Sequence, residues 1–221
     1  DMLIKMGVPY DSEEALRIAE EVMEFIDTEA LKASESLAEE RGVFPAFKGS
    51  IYDRPGGPKV RNATRTTIAP TGTLSIIAGC SSGIEPLFAI AFVRNVLDKE
   101  DRLYEINPYF EKIAKEMGFY SEELLQKIAD NNGSVQGLEE VPIEVQRIFV
   151  TALDISPEWH VRMQAAFQKY VDNATSKTIN LREDATIEDV RKAYMLAYEL
   201  KCKGITVYRY RSSPQQVISA K

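Results

Sequence analysis

Apolar residues in the first forty positions recur at helical spacing. Ala15, Ile18, Ala19, Val22, Ile26, Ala30, Ala33 and Leu37 form one broad stripe, Asp11 or Ser12 precedes it as a cap, and Gly42 follows it. This predicts a long helix to about residue 41, with its many Glu and Lys residues as a solvated face. Ahead of it, Leu3, Ile4 and Met6 before Gly7 read as the last turns of a helix closed by a glycine. The chain has no initiator Met, and a helix represented only by its end is expected to belong to a longer protein.

Pro45, Gly49 and "RPGGP" (54–58) mark a loop. Residues 62–69, "NATRTTIA", alternate and are rich in β-branched residues, so a strand is expected there. A second is expected at 87–95, "LFAIAFVRN", apolar enough to be covered on both faces. Helices follow from Asn107, from Ser121, from Pro142 to about Ala152, and after the Ser156–Pro157 start. "SKTINL" (176–181) reads as a strand. Thr186 and Asp189 form a capping-box pattern opening a helix through Lys203, with Gly204 as its stop and "GITVYRY" (204–210) as the last strand. Strand, helix, strand in that order implies a parallel pair, and the class is α/β with more helix than strand.

Composition narrows the function classes. A formal charge of -7 works against duplex DNA as a partner, because neutralising phosphates needs a basic face. No apolar run approaches the roughly 20 residues of a membrane span. Cys80 and Cys202 lie far apart without a CxxC pair, which points to a reducing cytoplasm, and with His160 as the only histidine a zinc site is not expected.

Chemistry concentrates in "APTGTLSIIAGCSSGIEP" (69–86). Its first half has Pro70 fixing a turn, Gly72 open to close approach, and the hydroxyls of Thr71, Thr73 and Ser75 beside free amides at a helix start, which is equipment for a polyanion. It lacks the lysine of a Walker loop, and an ordinary polar turn is the alternative. The second half satisfies G-x-S-x-G around Ser81, with Asp154 and His160 following in hydrolase order. An elbow serine needs a helix immediately after it, whereas Pro86 and strand-like residues follow. Cys80 is a further nucleophile candidate, with an inert thiol as its alternative. "YRYR" (208–211) has the make-up to relay a radical or stack a base, or simply shows the two faces of an edge strand.

Three long stretches, "VRNATRTTIAPTGTLSIIAGCSSGIEPLFA", "DISPEWHVRMQAAFQKYVDNATSKTINL" and "KGITVYRY", resemble in order and spacing the C-terminal part of the catalytic chain of class II, adenosylcobalamin-dependent ribonucleotide reductases. The resemblance runs over essentially all 221 residues. It implies part of a ten-stranded α/β barrel, thiyl-radical reduction of ribonucleotides to 2'-deoxyribonucleotides, and adenosylcobalamin as cofactor. It also implies that Ala69, Pro70, Thr71, Gly72, Thr73, Leu74 and Ser75 bind the substrate's phosphates.

The family's finger-loop cysteine lies upstream of this stretch, and neither Cys80 nor Cys202 matches a catalytic position. No catalytic residue or cobalamin contact is therefore assigned here. The chain is expected to be inactive alone, to need the N-terminal part of the same enzyme, and to self-associate through uncovered strand edges. A nucleotide-binding or assembly module without chemistry is the alternative function. The family's "YRYGSR" is also departed from, since Arg211 and Ser213 stand where a glycine and an arginine are expected.

Overall fold

The computed structural model describes residues 1–95 and 102–212. A short helix α1 (Met2–Met6) ends on Gly7 in the left-handed conformation, and α2 (Glu13–Arg41) begins where the Ser12 side chain accepts from the Ala15 amide at 3.1 Å. Next come α3 (Gly72–Ala78), the strands β1 (Ala91–Asn95) and β2 (Arg102–Ile106), and the helices α4 (Pro108–Met117), α5 (Glu122–Asp130) and α6 (Ile143–Ile148). The chain continues through α7 (Pro157–Gln168), β3 (Thr178–Leu181), α8 (Ile187–Glu199) and β4 (Thr206–Arg209). β3 and β4 are parallel with α8 as their crossover, as the strand–helix–strand order requires.

α7 organises the packing. The small residues Ala15 and Ala19 of α2 let that helix approach Met163 and Ala166 of α7 closely. On another side, Val161 packs against Ile179 of β3 and Ala193 and Ala197 of α8. A separate apolar cluster joins β1 to α4, α5 and α6, with Phe110 and Phe149 edge to face at 5.3 Å.

Several expectations are corrected. Residues 62–69 do not form a strand; they run extended, with a single parallel bridge from Ile68 to Thr175. The Arg65 amide, which a ladder would use, donates instead to the Asp172 carboxylate at 2.8 Å. The strand expected over 87–95 begins only at Ala91, because Leu87 makes an isolated parallel bridge to Thr151. β1 pairs antiparallel with β2, a strand that the residue pattern did not reveal.

The helix expected to run to Ala152 stops at Ile148, since Thr151 is taken up by that bridge and by Asp154. α8 ends at Glu199 and not Lys203. Lys201 itself takes the left-handed position (φ 61°), the Cys202 amide closes onto the Ala197 carbonyl at 2.9 Å, and Gly204 is not needed as the stop. On α2, Ser34 and Ala38 are buried in place of Ala33 and Leu37, and Ile26 is exposed. Among the described residues the strands form two pairs and no closed sheet, as suits a portion of a barrel.

Candidate phosphate-binding site

The extended segment reaches Ala69 and Pro70 and turns at Thr71 into α3. The first intrahelical bond runs from the Ser75 amide to the Thr71 carbonyl at 2.8 Å, so the amides of Gly72, Thr73 and Leu74 precede any helical acceptor. Ala69, Pro70, Gly72, Thr73 and Leu74 are exposed, while Thr71 and Ser75 are half-buried. The Ser75 hydroxyl is spent within the turn, donating to the Gly72 carbonyl at 2.7 Å, whereas the Thr71 hydroxyl lies 3.3 Å from that of Ser82. At Gly72 a Cβ would meet only open space, so the backbone here faces outward. A small, one-sided anion cradle is what this geometry offers.

Both ends of the 69–86 stretch are held by one segment, residues 173–178. At the entry, the Asn173 amide donates to the Thr66 carbonyl at 3.1 Å and the Ser176 amide to the Ile68 carbonyl at 2.8 Å. At the exit, the Glu85 carboxylate accepts from the Thr178 amide at 2.6 Å and from the Lys177 ammonium at 2.6 Å. Lys177 is fully buried, and its other two protons go to the Thr178 carbonyl at 2.8 Å and to His160 Nδ1 at 2.9 Å. All three of its donors are used, which is the condition for keeping a buried ammonium. Burial still pulls its pKa down, with Glu85 working in the opposite direction.

Lys177 and Glu85 were not picked out from the sequence, yet a signal exists. In "SKTINL" the period of two places Lys177 on the same face as Ile179 and Leu181, both buried. A lysine on an inward strand face demands a carboxylate partner.

The hydrolase arrangement is overturned. His160 is buried, its Nε2 lies 2.9 Å from the Ala152 carbonyl and its Nδ1 is occupied by Lys177. Asp154 binds Ser134 and Thr151, and the Ser81 amide donates to the Asp1 carboxylate at 2.7 Å. No two members of the supposed triad touch. Cys202 has its thiol pKa raised by burial, the reverse of an activated thiolate, and Cys80 is exposed. Tyr210 is buried beside the exposed Arg209, but it lies one residue past β4, and burial along β4 does not alternate as the edge-strand reading of "YRYR" expects.

Burial, and next the Lys177 charge, push the His160 pKa down from 6.5 to about 3. A protonated ring would also face the Lys177 ammonium and lose the acceptor at Nδ1. Between about pH 6.5 and pH 3 the unfolded chain holds a proton on His160 that the folded chain refuses, so stability rises with pH across that window. Acidifying from pH 7 to pH 5 is expected to cost about 2 kcal/mol through this group. Urea unfolding at both pH values, compared with His160→Gln, measures it; equal pH dependence in the two proteins would refute it.

An apolar cavity of about 140 Å³ takes Ser81, Gly83, Ile84 and Glu85 into its wall, so it opens beside the second half of the motif and not beside Ala69–Ser75. Among the described residues no group of three or more His, Cys, Asp or Glu is placed to hold a metal ion, and no helix is long and apolar enough to cross a membrane.

Known proteins resemble this chain over all or nearly all of its length. The chain is 58% identical, over its whole length, to the vitamin B12-dependent ribonucleoside-diphosphate reductase of Thermoplasma acidophilum, and 51% identical to the protein of that name from Mycobacterium tuberculosis. It spans 28% and 31% of those two proteins. Its fold superposes on the class Id ribonucleotide reductase alpha subunit of Actinobacillus ureae with a TM-score of 0.78 at 30% identity, covering 95% of this chain and 37% of that one. The family described as "Ribonucleotide reductase, barrel domain" matches residues 1–56 and 56–208. With the turn into α3, all of β3 and the anchoring segment 173–178 inside the matched residues, the chain belongs to the ribonucleotide reductase barrel-domain family.

Proposed function

We propose that this chain is the C-terminal portion of the barrel of a vitamin B12-dependent ribonucleoside-diphosphate reductase, and that Ala69, Pro70, Thr71, Gly72, Thr73, Leu74 and Ser75 bind the substrate's phosphates. The observation that carries the site is the outward-facing turn, where the Gly72, Thr73 and Leu74 amides precede any helical acceptor and stand beside threonine hydroxyls. Identity of 58% to a reductase of that name supports the activity.

This chain's part in the reaction is to fix the substrate's diphosphate, so that the ribose is presented to groups carried elsewhere in the enzyme. Adenosylcobalamin, when bound, supplies the radical chemistry. No residue of this chain is assigned as a contact of that cofactor, and both nitrogens of the single histidine, His160, are engaged inside the fold. No step is assigned through the cofactor.

Leu74, Ile76 and Ile77 of α3 are all more than 60% exposed. An apolar patch at that position supports association, with the remainder of the enzyme or with a second copy. The free thiols and the absence of disulfides among the described residues support a cytoplasmic location. Purified alone with adenosylcobalamin and a dithiol, the chain is expected to reduce no nucleotide, and light scattering is expected to find it self-associated. Reduction by the isolated chain, or a monodisperse monomer, contradicts the corresponding half. If supplying the N-terminal part of the enzyme restores no reduction, the chain is a binding or assembly module instead.

A further inference from the structure

We infer that Lys177 is a positioning residue for the substrate-phosphate loop, acting through Glu85 to fix the loop's exit as the backbone of residues 173–176 fixes its entry. This rests on the phosphate reading of Ala69–Ser75.

The geometry is specific. The loop leaves residues 173–176 at Ile68, makes its turn and α3, and returns to Thr178 and Lys177 at Glu85, so both anchors lie within one stretch of backbone. Between the anchors the returning chain touches the turn itself. Ser82 Oγ is 3.3 Å from Thr71 Oγ1, and a Cβ on Gly83 would stand 3.6 Å from Thr71 Oγ1 and 3.7 Å from the Ala69 carbonyl oxygen. A displacement of Glu85 is therefore passed to Ala69 and Thr71 within three residues of chain. Lys177 cannot follow such a displacement, because its remaining donors are tied to His160 of α7 and to the Thr178 carbonyl, and the Tyr10 ring lies against it.

The arrangement also explains why a buried charge is used here. An apolar side chain at 177 would leave the Glu85 carboxylate with one donor in place of two. A bond of an ammonium to a carboxylate fixes direction and distance more tightly than apolar contact does. Loops that bind phosphate through backbone amides need that precision, since donor positions displaced by about 1 Å lose much of their effect.

The test uses the full-length reductase that contains this segment, with inorganic pyrophosphate as competitive inhibitor of the phosphate loop and the unphosphorylated nucleoside as a second inhibitor. Lys177→Met is expected to raise the substrate KM and the pyrophosphate inhibition constant about tenfold each, with kcat and inhibition by the nucleoside within about twofold of the parent. Lys177→Met with Glu85→Gln removes both charges, so no carboxylate is stranded. It is expected to fold with near-parent thermal stability and to show the same phosphate-selective loss. Glu85→Gln alone leaves one carboxamide oxygen for two donors and the buried Lys177 ammonium without its carboxylate, so it is expected to lose at least as much phosphate affinity as Lys177→Met.

A loss spread equally over pyrophosphate, nucleoside and kcat would show a merely structural lysine and overturn the inference, as would unchanged pyrophosphate inhibition in the folded double variant. Failure of the underlying phosphate reading shows differently: pyrophosphate would not compete in the parent enzyme at all.

Discussion

Gly133→Ala is expected to cost at least about 3 kcal/mol of stability. Gly133 follows the end of α5 with φ 80°, its amide closing the helix onto the Ile128 carbonyl at 2.8 Å and its carbonyl accepting from the Ile90 amide at 2.7 Å. Left-handed backbone costs an alanine about 1 kcal/mol. The larger part is steric, because the added methyl would overlap that of Ala89 and stand 3.0 Å from the Ala89 Cα and 3.3 Å from the Ala91 carbonyl oxygen. Those are backbone atoms entering β1, next to Ile90 and Ala91 at the centre of the main apolar cluster, and they have no room to retreat.

Gly137 supplies the control. It has nearly the same conformation, φ 78°, with open space where its Cβ would be. Gly137→Ala should cost only the conformational part, about 1 kcal/mol. Urea unfolding of the two variants separates strain from overlap, and equal losses would show that the contact with β1 is yielding.

Elements whose signals are local were legible from the sequence. Ser12 and the Thr186–Asp189 pair cap helices as expected, each through a side chain a few residues from the amide it serves, and helices begin at Asn107 and Ser121 where they are expected, whereas Ser156 precedes α7 without a side-chain cap bond. The parallel β3–β4 pair followed from the order of elements. What could not be read depends on partners distant in sequence. Residues 62–69 have the composition of a strand, but their neighbours at 172–176 are about a hundred residues away and supply a carboxylate as well as a ladder. Arg65 makes the same point: its guanidinium is tied to both Asp172 and Asp27, on different parts of the chain, and no local pattern marks it.

The departure at Arg211 acquires a physical meaning. The family resemblance leads to a glycine there, and the structure gives Arg211 a left-handed backbone, φ 57°, which a glycine adopts without strain. Its side chain lies 5.5 Å over the Tyr210 ring and pairs with Glu183 at 3.1 Å, contacts that offset part of that cost. Ser213 lies outside the described residues. For the candidate site, the hydroxyls and glycine of "APTGTLS" left a polyanion cradle and an ordinary polar turn both open, and it is the resemblance of the flanking stretches that turned them into the phosphate proposal. Glu85, near the end of "APTGTLSIIAGCSSGIEP", carries no local signal because its partner Lys177 lies 92 residues away.

Thr73→Asp should separate binding from folding at the phosphate loop. Thr73 is exposed in the first turn of α3, where a carboxylate interacts favourably with the free amides and the helix dipole, so the fold should keep its stability or gain up to about 0.5 kcal/mol. A substrate phosphate on those same amides would meet that carboxylate at close range. Two unit charges about 4 Å apart near a protein surface repel by about 4 kcal/mol, and screening leaves enough for a KM increase of about 100-fold. Thr73→Asn, of the same size and uncharged, should stay within about threefold of the parent, and added salt should narrow the gap between the two variants. Steady-state kinetics of the full-length enzyme, with thermal unfolding of the same samples, decides it. An aspartate variant that melts normally and binds substrate as the asparagine variant does would mean that no phosphate sits on this turn.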